Sequence, residues 1–170
     1  LVSYAWSSFI DPGTVYVFDT STPSTAPTVF RRTAVKGHTP TDFVTTQEWA
    51  VSADGTRVPF FVTAKKAASR DSNRPTLLYG YGGFNIAVTP SFSVSRALFM
   101  AGFDGAYASA NMRGGGEYGT AWRDAGSGRN KQRVFDDFQA VAERLIALNW
   151  TAPARLAIQG GSNGGTLVAA

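Results

Sequence analysis

An α/β fold with a mostly parallel sheet is what this sequence predicts, and three observations carry it. From Thr76 onward, apolar strand-like runs alternate with segments of helical periodicity, the pattern of a parallel sheet covered on both faces. Ahead of that alternation lies a hairpin, which predicts an antiparallel edge. Near the other end a short apolar run, Leu156-Ala157-Ile158, leads into Gly160-Gly161-Ser162-Asn163-Gly164-Gly165, a serine ringed by glycines.

In chain order, residues 1–35 read as strands and turns. Val2–Trp6 and Thr14–Phe18 are β-rich runs separated by the turn signal Asp11-Pro12-Gly13. A Ser/Thr/Pro stretch from Thr20 to Thr28 then loosens the pattern. Thr45–Val51 and Val58–Thr63 flank Asp54-Gly55 and read as a hairpin. A polar link from Lys65 to Arg74 ends at Pro75. Thr76–Tyr79 is a buried strand that runs into the glycine loop Gly80-Tyr81-Gly82-Gly83. Ser93–Met100 carries Val94, Ala97 and Leu98 at helical spacing, with Gly102 placed to cap it. Gly105–Met112 is a small-residue strand. Arg133–Asn149 is the strongest helix, with Val134, Phe138, Val141, Ala142, Leu145 and Ile146 on one stripe.

The strand Leu156–Gln159 and the Gly-x-Ser-x-Gly pattern together describe the nucleophile elbow of α/β-hydrolases, continued by the helix-compatible Thr166–Ala170. So sharp a turn demands glycine at 160 and 164, where a side chain would strike the neighbouring strand or helix. It lifts the Ser162 hydroxyl to where a base and a substrate carbonyl can both reach it. In such enzymes the acid and histidine follow the serine. None of the residues after Ser162 is Asp, Glu or His, and the chain starts at Leu1, which predicts a piece of a longer enzyme. The single histidine, His38, sits in the polar, turn-like Lys36–Pro40 and is expected to be a solvated loop residue.

Composition narrows the alternatives. The net charge of +4 is scattered, with only Arg31-Arg32 and Lys65-Lys66 adjacent, which describes a solvated surface rather than a nucleic-acid footprint. No stretch reaches the apolar length of a membrane span. The absence of cysteine fits a reducing compartment, so a cytoplasmic location is the expectation, with the periplasm as its alternative. Gly114, Gly116 and Gly119 formally match a dinucleotide fingerprint. That reading needs a helix to open directly at the third glycine, and the polar stretch Asp124–Lys131 is expected to intervene, so a structural or rim loop is preferred. Asp136 and Asp137 are expected to favour the dipole at the start of the long helix rather than to serve a catalytic triad.

Several blocks together resemble the prolyl oligopeptidase family of serine peptidases: Leu78–Asn85, Arg113–Gly119, Lys131-Gln132 with Phe135–Phe138, and Gly160–Gly165. Asn163 in the elbow and the Tyr-Gly-Tyr-Gly-Gly-Phe loop are similar to the prolyl-specific branch rather than to dibasic-specific or dipeptidyl relatives. The resemblance implies that residues 1–35 are the C-terminal remnant of a β-propeller. Residues 36–170 would be the N-terminal part of an α/β-hydrolase catalytic domain. It implies a monomeric endopeptidase that cleaves short peptides on the carboxyl side of proline through an acyl-enzyme on Ser162. The oxyanion would be held by the Asn163 backbone N–H and the Tyr81 hydroxyl, and Phe84 would wall the proline pocket. No metal or organic cofactor is implied, nor any nucleic-acid or membrane partner. One departure is Arg123 after Trp122, where the family often has histidine. An esterase of the same fold and a non-catalytic chain are the alternative readings, and the 170-residue chain alone is expected to be inactive.

Overall fold

The computed structural model describes residues 1–170. The first 32 residues form an antiparallel meander of β1 (Val2–Trp6), β2 (Thr14–Phe18) and β3 (Thr28–Arg32). β1 and β2 fall on the predicted runs. β3 does not: Thr28-Val29-Phe30 is too short an apolar run to announce itself before two arginines. It is completed by pairing to β2, with a register shift between Val15 and Tyr16.

The second sheet has five strands in the order β4-β5-β7-β6-β8, where β4 is Phe43–Val51, β5 Arg57–Lys65, β6 Thr76–Tyr79, β7 Ala106–Ala110 and β8 Leu156–Gln159. The β4–β5 hairpin turns where Asp54-Gly55 predicts. β6 is parallel to both β7 and β8. The antiparallel share extends beyond the hairpin, because β5 also pairs antiparallel with β7, setting Phe60 opposite Ala110 and Val62 opposite Ala108.

Period-two alternation assigns the two faces. Phe60, Val62, Leu78, Ala108 and Ala110 point to the side covered by α3 (Gln132–Ala147), whose Val134, Phe138, Val141 and Leu145 complete the larger core. That helix packs over the β4–β5 hairpin. The other face buries Tyr107 with Met100 of α1 (Val94–Gly102), together with Phe43 and Phe9. Phe9, from the β1–β2 connection, lies 5.6 Å from Tyr107 and 5.8 Å from Phe61 between ring centroids, and so joins the meander's chain to the main core.

Gly102 does not cap α1 as expected. It stays in the last helical turn, and the left-handed residue is Asp104 (φ 52°), whose carboxylate and carbonyl both accept from Arg74. That ion pair holds the reversal that the glycine was expected to provide. Two short helices complete the fold: α2 (Thr120–Ala125), which the sequence does not signal, and α4 (Asn163–Ala169). No helix is long and apolar enough to cross a membrane.

Candidate active site

β8 ends at Gln159 and α4 begins at Asn163, so the chain reverses from strand to helix within three residues. Ser162 takes up the reversal with φ 54° and ψ −118°, a backbone state that L-residues rarely adopt, and its side chain is exposed at the tip. Glycine is required on either side by close approach. A Cβ on Gly160 would run into the carbonyl of Gly164, and one on Gly164 into the carbonyl of Gly80. Asn163 opens α4, and first-turn N–H groups have no acceptor within their own helix.

The Gly80–Phe84 loop leaves β6 and crosses directly against this elbow. Tyr81 is half-buried, and its Cα lies 3.4 Å from where a Cβ on Gly164 would stand. Tyr81 borders a cavity of about 390 Å³ together with Phe9, Ile86 and Tyr107. Phe84 is 78% exposed, with a positive φ of 54°, followed by Asn85 at 58°. Phe84, Asn163, Lys131 and Arg123 line a second cavity of about 420 Å³. The structure thus brings Ser162, Asn163, Tyr81 and Phe84 to one end of the sheet, beyond the carboxyl ends of parallel strands, where open α/β sheets place their ligands.

Side-chain contacts tie the loop to the elbow. The Asn163 amide donates from Nδ2 to the carbonyl of Tyr81. Lys131 donates from Nζ to the carbonyl of Gly82 (2.8 Å) and to Asn163 Oδ1 (3.2 Å). Burial pushes the Lys131 ammonium below its ordinary range. Sequence reasoning quotes Lys131 within a family block and gives it no role; its contacts span 49 and 32 residues, which no local pattern reveals.

Two further expectations are corrected. His38 is not a solvated loop residue. Its Nε2 meets the carbonyl of Ile10 at 2.7 Å, and its ring stacks on Phe43 and tilts against Phe92. It is half-buried because Ile10 and Phe92 reach it from distant segments. Asp136 and Asp137 are not in the first turn of α3, which starts at Gln132, and Asp137 is wholly buried. The Asp137 carboxylate takes Arg113 Nε (3.0 Å) and Nη2 (2.6 Å), and also the Arg113 backbone N–H (3.1 Å). The Arg113–Gly119 loop does run directly into a helix, contrary to expectation, since α2 follows Gly119 at once. The loop is folded onto its neighbours instead of standing open: Gly114 N–H bonds Trp122 O, and Trp122 Nε1 bonds Met112 O.

Comparison with known proteins gives a consistent result. Residues 90–170 match the prolyl oligopeptidase family. The chain is 42% identical over 167 residues to a prolyl endopeptidase of Elizabethkingia miricola, covering 98% of this chain and 23% of that protein. It is 44% identical over 165 residues to prolyl oligopeptidase ophP of Omphalotus olearius, covering 97% of this chain and 22% of that protein. Among solved structures, prolyl oligopeptidase B of Galerina marginata, bound to a 35mer hydrolysis and macrocyclization substrate, superposes with a TM-score of 0.91 at 37% identity, over 96% of this chain and 23% of that one. The chain therefore spans under a quarter of the length of these relatives.

Proposed function

Because this chain belongs to the prolyl oligopeptidase family of peptidases, we propose that Ser162 is the nucleophile of an endopeptidase acting on short peptides after proline. The observation that carries the proposal is Ser162 itself: exposed, strained at φ 54°, and set between strand and helix with Asn163 and the Tyr81 loop at its side. In this reading Ser162 Oγ attacks the carbonyl carbon of the proline residue while a histidine takes its proton. The histidine gives that proton to the leaving amine as the peptide C–N bond breaks, and water then hydrolyses the acyl-enzyme. The negative charge on the carbonyl oxygen is met by the Asn163 N–H and the Tyr81 hydroxyl. Phe84, exposed on the cavity rim, offers its face to the proline ring.

Within residues 1–170, His38 is committed to Ile10 and an aromatic pocket, so the proposed histidine and acid belong to the intact protein outside this stretch. The 170 residues alone then lack turnover. Residues 1–35, the meander, are the proposed returning strands of a propeller that limits substrates to short peptides.

The test is the intact protein against chromogenic peptides with proline or arginine before the scissile bond, with labelling by a fluorophosphonate serine probe. Proline is preferred, and Ser162→Ala abolishes both turnover and labelling. Preference for arginine would move the assignment to the dibasic-specific relatives, and persistent labelling of Ser162→Ala would remove the nucleophile.

A further inference from the structure

Lys131 closes a ring of contacts around the junction of the two elements described above. Its ammonium, just ahead of α3, donates to Gly82 O and to Asn163 Oδ1. Asn163 Nδ2 donates to Tyr81 O, and the peptide from Tyr81 to Gly82 completes the circuit. The arrangement fixes which way the Asn163 amide points. An ammonium can only donate, so it must face Oδ1, and Nδ2 is then the atom turned toward the Tyr81 carbonyl. With the amide reversed, an oxygen would face the Tyr81 carbonyl and an NH₂ would face the ammonium, so both contacts would become repulsive.

Space at the junction is also committed. A Cβ on Gly83 would lie 2.7 Å from the Asn163 amide carbon, so the loop is drawn to the amide at the closest approach its backbone allows. Lys131 makes no ion pair, its acceptors are neutral, and burial opposes its charge. A charge held without a counter-charge is poorly explained by stability alone.

We propose that Lys131 is a positioning residue that sets the separation of the Tyr81 and Asn163 arms of the oxyanion site by orienting the Asn163 side-chain amide. This inference rests on the reading of Ser162 as nucleophile. Misplacing one arm by an ångström leaves substrate binding intact and weakens only the contact made as charge develops.

The experiment uses the intact protein with a proline chromogenic peptide. Lys131→Met, which keeps the stem and removes the donors, lowers kcat by about a hundredfold, the scale of a 1 Å misplacement, with KM unchanged within about twofold as expected for a contact made only in the transition state. Asn163→Ala does the same. The double variant falls no further than the worse single one, because both remove the same ring. Should Lys131→Met fail to fold, Asn163→Asp decides. It retains the oxygen for Lys131 but sets a carboxylate oxygen against the Tyr81 carbonyl, so kcat falls while the melting temperature holds. Wild-type kcat in Lys131→Met or Asn163→Asp, or multiplying losses in the double variant, overturns the positioning role. Turnover persisting in Ser162→Ala overturns the nucleophile reading beneath it, which keeps the two failures distinct.

Discussion

Arg113, buried, and Lys131, half-buried, are both cations set between a loop and α3, and they are built in opposite ways. Arg113 is 3% exposed, and every guanidinium donor has a partner: Nε and Nη2 on Asp137, Nη2 on Ser52, and Nη1 on Asp54 (2.5 Å) and Thr56 (3.1 Å). The Asp137 hydrogen bonds lead in pushing its pKa above the ordinary arginine range. Lys131 has two neutral oxygens and no carboxylate, and burial pushes its pKa down. The planar fork with two carboxylates joins the β4–β5 turn, the Arg113–Gly119 loop and α3 into one unit. The point charge with neutral acceptors fixes only where two backbone segments meet. A compensated charge serves as scaffold, and an uncompensated one serves as adjustment.

The comparison breaks most visibly at Asp137. Asp137→Ala leaves a buried guanidinium with its main partner gone, and the expected loss is about 3–5 kcal/mol of unfolding free energy. Chemical denaturation of the intact protein measures it, and a loss below about 1 kcal/mol, the scale of an exposed pair, would refute the scaffold role.

A smaller effect separates the two cations by pH. The Arg113 hydrogen bond, followed by Thr56, holds the Asp54 carboxyl well below its ordinary value of 3.8. The native state therefore binds this proton more weakly than the unfolded chain does. Its stabilisation is fully present above pH 3.8 and is lost as pH falls below that value toward the folded pKa. The Asp54 side chain is 41% exposed, so solvent screens the pair and the contribution is modest. Asp54→Asn should flatten the acid limb of a melting-temperature profile below pH 4; an unchanged limb would remove the linkage.

The smallest expected stability change sharpens the contrast. Lys131→Met loses two hydrogen bonds but also relieves the desolvation of an unpaired charge, so unfolding free energy shifts by no more than about 1 kcal/mol. Thermal melts beside the Asp137→Ala variant check the order. If Lys131→Met destabilises as much as Asp137→Ala, the two cations play one role and the contrast fails.

Much of the site was legible because it is local. Gly160, Ser162 and Gly164 are two residues apart, and the requirement for a strand before them and a helix after them is a statement about one short stretch of chain. Tyr81 and Phe84 became candidates only through the family resemblance, since an aromatic in a glycine loop is otherwise a packing residue. Local spacing gives Lys131 no role and places Asp137 at a helix dipole that it does not touch. Both errors concern polar groups whose partners lie far away in sequence.

The sequence by itself determined the order of strands and helices from the hairpin onward except for α2, together with the hairpin turn at Asp54-Gly55, the apolar stripe of α3 and the position of the elbow. Each follows from side-chain periodicity or glycine placement over fewer than twenty residues. Tertiary structure alone decided that β3 pairs with β2, that β5 joins β7, that His38 packs among aromatics, and that Arg113 reaches Asp137 across 24 residues and Asp54 across 59. A buried polar group must find its partner wherever the fold brings one. That meeting depends on how the sheet and helices close in space, which local spacing along the chain does not encode.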